Sequence, residues 1–164
     1  MTKRSLLRYC LFISVLIFAD QVSKIFLIDY FKNQPEHVIE ILPFFDIVYA
    51  WNYGISFGLF RRFYKYSNLI FLFLNSFIVL YLIHMLRKSK EYKDGCALAL
   101  IIGGALGNLI DRLFHGAVFD FLFFNYSELS FPAFNLADSF ITIGGFLFIY
   151  RNILKKEISL DEKK

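Results

Sequence analysis

The sequence predicts an all-α integral membrane protein with four transmembrane helices, both termini cytoplasmic and a small β-containing extracytoplasmic loop region. Three observations lead there: the apolar content, the spacing of the apolar stretches, and the placement of basic residues between them. The 164 residues are 57% hydrophobic and 20% aromatic, with mean hydropathy +0.53, which is more apolar surface than a soluble domain of that length encloses. A spanning helix needs roughly 20 mostly apolar residues. Such stretches lie near residues 6–28, 67–86, 96–114 and 135–154, and they make residues 1–164 a single membrane domain.

The first stretch follows Lys3, Arg4 and Arg8 and imitates a secretory signal over Leu11 to Ala19. No small-residue cleavage site follows, so it is expected to stay as the first anchor. The segment after it contains the helix breakers Pro35, Pro43, Gly54 and Gly58, and His37–Ile41 and Asp46–Trp51 read as short strands. The second and third stretches are separated by Arg87-Lys88-Ser89-Lys90-Glu91-Tyr92-Lys93-Asp94. In the third, Gly103-Gly104-Ala105-Leu106-Gly107 has the small-residue spacing that lets helices approach closely. After the fourth stretch comes a charged tail, Lys155 to Lys164.

With the N-terminus inside, the basic residues divide about two to one in favour of the cytoplasmic segments, which is the positive-inside pattern. The formal charge of +4 and the pI near 9.0 therefore act as topology signals. The clusters form no basic face, and no nucleic acid partner is expected. Cys10 and Cys96 each start an apolar run beside a basic cluster, where a reducing cytoplasm keeps them as thiols.

This topology gathers the polar residues at one level. Asp20 falls about 12 Å inside the outer end of the first helix; Asn108, Asp111 and Arg112 lie near the outer end of the third; Asn135 and Asp138 begin the fourth; and the outer loop between them carries Asp120. Charged groups at membrane depth are costly unless they pair or line a wet cavity, so their coincidence points to function. Each also has a plainer reading. Asp20 with Lys24 is an i,i+4 ion pair, Asp111 with Arg112 an interfacial pair, Asp138 a helix cap, and the Gly103–Gly107 run a packing surface. Asp120, flanked by Val118-Phe119 and Phe121-Leu122, has no nearby base and no such explanation.

Two carboxylates brought together share a proton, one acidic and one basic, which suits water activation without a metal or cofactor. Asp138 at a helix start is the better candidate to stay ionised, and Asp120 in its apolar setting to be protonated. Competing motifs are weaker. Gly54-Ile55-Ser56-Phe57-Gly58 fits a serine-hydrolase elbow, but His37, His84 and His115 are poorly placed partners. Asp111 and His115 have i,i+4 spacing with no completed ligand set. A small proton- or ion-coupled transporter is the alternative from another class, although its site belongs near the midplane between repeated halves, and no repeat is visible.

Five segments, Asp20-Gln21-Val22-Ser23-Lys24, Asn52-Tyr53-Gly54-Ile55-Ser56-Phe57, Gly103 through Arg112, Val118-Phe119-Asp120-Phe121 and Phe134-Asn135-Leu136-Ala137-Asp138-Ser139, resemble in order and spacing the motifs of lipoprotein signal peptidases (signal peptidase II). The resemblance implies a bacterial inner-membrane aspartic endopeptidase, active near the outer face, that cuts prolipoproteins before a diacylglyceryl-modified cysteine. It implies Asp120 and Asp138 as the catalytic pair, with Asp20, Lys24, Asn52, Gly54, Gly107, Asn108, Asp111, Arg112, Asn135 and Ala137 binding substrate or supporting the site. The implied partners are the lipidated prolipoprotein and membrane lipid. The chain is expected to work as a monomer, without metal or cofactor.

Overall fold

The computed structural model describes residues 3–54, 64–126 and 129–161, and within them the chain forms four long helices and a four-stranded antiparallel sheet. The helices are α1 (Lys3–Lys32), α2 (Tyr64–Lys88), α3 (Tyr92–His115) and α4 (Leu136–Asp161). No glycine or proline interrupts α1 or α2, and α1 ends three residues before Pro35. Glu91 precedes α3 in an extended conformation, and Gly116 closes it at φ 74°, donating its N–H to the Arg112 carbonyl. That left-handed cap favours glycine.

Among the described residues, three helices, α1, α2 and α3, are long and apolar enough to cross a membrane. Their surfaces are inverted relative to a soluble protein. Phe18, Ile25, Phe73, Phe77 and Phe146 face outward, while Asp20, Lys24, Asp111, Arg112 and Asn135 are buried. The helix α3 is the centre of the bundle and packs against α1, α2 and α4. Its glycines make this possible: a Cβ on Gly103 would stand 2.8 Å from Leu16, one on Gly107 2.6 Å from the Asp20 carboxylate, and one on Gly104 would overlap the Ala137 backbone carbonyl. From α4, Gly144 returns the contact against the Ala97 carbonyl. The packing role expected of the small-residue run is the one it has. At the opposite end, Arg151 of α4 clasps the start of α3, with Nε 2.7 Å from Asp94 and Nη2 2.6 Å from Glu91.

The sheet is larger than the two strands expected. Strands β1 (Val38–Leu42) and β2 (Phe45–Asn52) match those expectations to within a residue or two, and β3 (Val118–Tyr126) and β4 (Leu129–Ser130) add to them in the order β1-β2-β3-β4. The segment around Asp120, taken from sequence as a plain loop, is therefore a strand. Apart from Asp120 its run is apolar and lacks the alternation that marks a half-exposed strand, because both of its faces near Phe119 are covered. The register slips between Ile47↔Leu122 and Ala50↔Asp120, so a bulge in β2 lies beside Asp120. A second difference lies at the C-terminus, where the charged tail continues α4 as helix to Asp161.

The glycine packing gives a paired prediction. Gly104→Ala drives a methyl into backbone and should destabilise the protein by roughly 1–3 kcal/mol. Gly145 has nothing within 4 Å of its Cβ position, so Gly145→Ala should be neutral or stabilising by about 0.5–1 kcal/mol. Thermal unfolding in detergent measures both.

Candidate active site

Every residue marked from sequence for the site lies within the described residues, and most converge where α1, α3, β3 and the start of α4 meet. Lys24 is at the centre, with only 2% of its surface exposed. Its ammonium lies 2.9 Å from Asp20 Oδ2, 2.8 Å from Asp111 Oδ2 and 3.3 Å from Asn108 Oδ1, which uses all three donors. The Asp20–Lys24 pair is thus helical i,i+4, as its spacing suggested, and is also joined to α3.

Each carboxylate of this cluster holds a second element. Asp20 Oδ1 accepts the Ala137 N–H of α4 at 3.0 Å, and Asp111 Oδ2 accepts the Phe119 N–H of β3 at 3.2 Å. Gln21, which sequence reasoning passed over, donates to Asp20 at 3.1 Å, to the Gly107 carbonyl at 3.2 Å and to Asp111 at 2.9 Å. The available signal was helical: Gln21 lies three residues before Lys24 and so on the same face of α1.

Two asparagine amides carry the cluster to the paired acids. Asn108 donates to Asp138 Oδ1 at 2.7 Å, Asn135 donates to Asp120 Oδ1 at 2.7 Å, and Asn135 Nδ2 lies 3.2 Å from Asn108 Oδ1. Asn135 is also the N-cap of α4: its Oδ1 accepts the Asp138 N–H at 2.9 Å, while Asp138 Oδ2 accepts the Asn135 N–H at 3.3 Å. This reciprocal arrangement is a capping box with aspartate as the returning acid. The plain reading of Asp138 as a cap is correct, and the cap is what aims its other oxygen at Asn108.

Asp120 is 2% exposed. Burial and then the neighbouring Asp138 charge push its carboxyl up to about 7, against the opposing pull of hydrogen bonds from Asn52 and Asn135. Two acids near one another, one inclined to hold its proton, can take a proton from water and give one to a carbonyl.

The remaining marked residues lie around this centre. Asn52 ends β2, and its Oδ1 accepts the Gly54 N–H at 2.8 Å; Gly54 turns at φ 81°. Arg112 is buried, with its guanidinium 4.9 Å from the Phe71 ring of α2, and among the described residues its Nε and Nη1 have no hydrogen-bond partner. Asp111 and His115 do not come together as ligands: Asp111 is engaged by Lys24 and Gln21, and the His115 ring rests 5.2 Å from Trp51. Ser56, the centre of the elbow-like motif, lies outside the described residues.

The chain is similar to known proteins over most of its length. The family model described as signal peptidase (SPase) II matches residues 12–154. A lipoprotein signal peptidase of Rickettsia africae (strain ESF-5) is 48% identical over 151 residues, covering 92% of this chain and 75% of that protein. One from Rickettsia akari (strain Hartford) is 50% identical over 137 residues, covering 84% and 70%. A solved structure titled as a bacterial membrane enzyme at 2.3 Å superposes with TM-score 0.77 and 29% identity, covering 96% of this chain and 93% of that one. A second, at 1.9 Å, gives TM-score 0.71 and 30% identity, covering 88% and 91%.

The raised Asp120 acidity has a thermodynamic consequence. Folded, the carboxyl holds its proton up to about pH 7, whereas an ordinary carboxyl releases it near 3.8. Across that window the folded state binds more protons at this group, so its contribution to stability is fully present below about pH 4 and is lost as pH rises to 7, by roughly 2–4 kcal/mol. Asp120→Asn, which keeps an acceptor for Asn135 and carries no charge, should remove that loss. Melting temperatures at pH 5 and pH 8 should converge in the variant and diverge in the parent.

Proposed function

The chain belongs to the signal peptidase II family, and from that premise we propose that it removes signal peptides from prolipoproteins as an aspartic endopeptidase using Asp120 and Asp138. Family membership makes it a protease and a membrane protein with apolar helices. The observation that carries the catalytic reading is the pair of 2.7 Å hydrogen bonds by which Asn135 and Asn108, themselves in contact, link Asp120 to Asp138.

In the proposed reaction Asp138, in the first turn of α4, acts as the base. It takes a proton from water as the oxygen attacks the scissile carbonyl. Asp120 gives its proton to the carbonyl oxygen, forming a neutral geminal diol. Collapse of the diol breaks the C–N bond, the departing amine takes the proton held by Asp138, and Asp120 recovers its own from the hydroxyl that becomes the new carboxyl group. No charged tetrahedral species and no metal enters the sequence.

The cut is proposed to fall just before a diacylglyceryl-modified cysteine, with the acyl chains remaining in lipid. The setting is the bacterial inner membrane, with α4 as the fourth span, both termini cytoplasmic and the site near the outer face. The two-to-one basic asymmetry supports that orientation. A signal peptide is itself an apolar helix, so its cleavage point reaches this level already embedded, and a polar cluster there supplies water in place of extracting the substrate. The enzyme is proposed to act as a monomer. The transporter alternative has no support from the family match.

Asp120→Asn and Asp138→Asn should each retain the fold and lower kcat on a diacylglyceryl-modified precursor by about a hundredfold or more. In the parent, kcat/KM should fall on the alkaline side with a midpoint near 7, where Asp120 loses its proton. Substantial cleavage by either folded variant would remove the mechanism.

A further inference from the structure

The helix α2 contributes nothing to the motifs that mark the site, yet it grips Arg112 at two points. Asn68 Nδ2 donates to the Arg112 carbonyl at 3.2 Å, beside the Gly116 N–H that caps the same carbonyl. Three residues on, and so on the same face of α2, the Phe71 ring lies under the Arg112 guanidinium at 4.9 Å. The opposite constraint comes from Gly54, where a Cβ would overlap the Phe71 ring. Phe71 is therefore wedged between the turn after β2 and the guanidinium, and it fixes the plane in which Arg112 points.

This grip leaves three buried polar atoms unanswered: among the described residues, Arg112 Nε, Arg112 Nη1 and Asn68 Oδ1 have no hydrogen-bond partner. The Asn68 amide cannot simply be reversed to relieve this, because its Nδ2 is the donor that the Arg112 carbonyl requires. Buried donors and acceptors in native proteins are nearly always paired, and the exceptions ask for an explanation. Arg112 is only 7% exposed, and the residue before it, Asp111, accepts the N–H of Phe119, the neighbour of Asp120, so Arg112 lies at the end of α3 that meets the paired acids.

Two donors on one residue and one acceptor on its neighbour are the complement of a peptide unit, which offers a carbonyl and an N–H. We propose that Asn68, Phe71 and Arg112 form a subsite that holds one backbone peptide unit of the substrate next to the scissile bond. Arg112 donates to the substrate carbonyl, Asn68 Oδ1 accepts a substrate N–H, and Phe71 is the positioning residue that orients the guanidinium. A signal peptide entering a protease site must unwind near the cut, which frees the N–H and C=O groups such a subsite reads. This proposal rests on the protease reading.

The test uses the full-length protein in detergent with a diacylglyceryl-modified precursor peptide. A substrate series replaces one backbone amide at a time with an ester, away from the scissile bond, which deletes the N–H and keeps the carbonyl. One ester position should raise KM about tenfold in the parent. Asn68→Leu should raise KM on the all-amide substrate by a similar factor, with kcat within about twofold, and that ester should then cost nothing further. Phe71→Leu should lower kcat/KM about fivefold, with recovery in Phe71→Tyr, which keeps the ring. Thermal unfolding identifies the folded variants, and Asn68→Ala serves the same comparison if Asn68→Leu does not fold. Ester effects that add fully to the Asn68 substitution at every position, or a parent indifferent to every ester, overturn the subsite. Failure of the parent to cleave the all-amide precursor overturns the protease reading instead.

Discussion

One buried ammonium organises this protein. Lys24 lies inside an apolar bundle with its three donors on Asp20, Asp111 and Asn108, and those partners reach on to two further elements, α4 and β3. Asp20 holds the start of α4 through Ala137, Asp111 holds β3 through Phe119, and Asn108 holds Asp138. A charge at that depth is tolerable only when paired and hydrogen-bonded, and removing one partner of such a group strands the others at a cost of roughly 3–5 kcal/mol. The need to satisfy Lys24 thus fixes three helices and a strand against one another, and the candidate acids hang from that frame.

The close approach that the cluster needs is made by missing side chains. Gly107 lets the Asp20 carboxylate lie where a methyl would be, and Gly104 lets α4 lie against α3 at the Ala137 carbonyl. The small residues therefore do more than bring two lipid-facing helices together. They bring backbone and carboxylate near enough that both oxygens of Asp20 and of Asp111 are hydrogen-bonded within the cluster. In lipid, where helix association gains little from hydrophobic burial, such packing and hydrogen bonding are the main cohesive terms.

The two acids have unlike surroundings for structural reasons. Asp138 is part of the cap of α4, so it sits among backbone N–H groups at the positive end of a helix. Asp120 projects from a strand between Phe119 and Phe121, beside the bulge in β2, and its carboxyl is pushed up to about 7. Aromatic rings close this side: Tyr49 and Trp51 of β2 pack on Phe119 with ring centroids 5.1 Å and 5.3 Å apart. The sheet thus supplies the dry setting that raises one acid, and the helix start supplies the polar setting of the other.

Much of this was legible in the sequence. Apolar runs of spanning length specify long helices whatever they pack against, because the backbone has no other way to satisfy itself in lipid. The breakers Pro43 and Gly54 bracket β2, and the spacing of Asp20, Lys24, Asn108, Asp111, Asn135 and Asp138 already lined their side chains up at one level. Other features depend on partners distant in the chain. The strand character of the Asp120 segment is decided by its pairing with Ala50, Trp51 and Asn52 some seventy residues earlier. Gln21 gains its role from Gly107 and Asp111, and Asn68 from Arg112, contacts that no local periodicity encodes. Local physics determined which residues are helical and which polar groups need partners; only the tertiary structure decided which partners they find, because that choice is made by groups that meet across the fold.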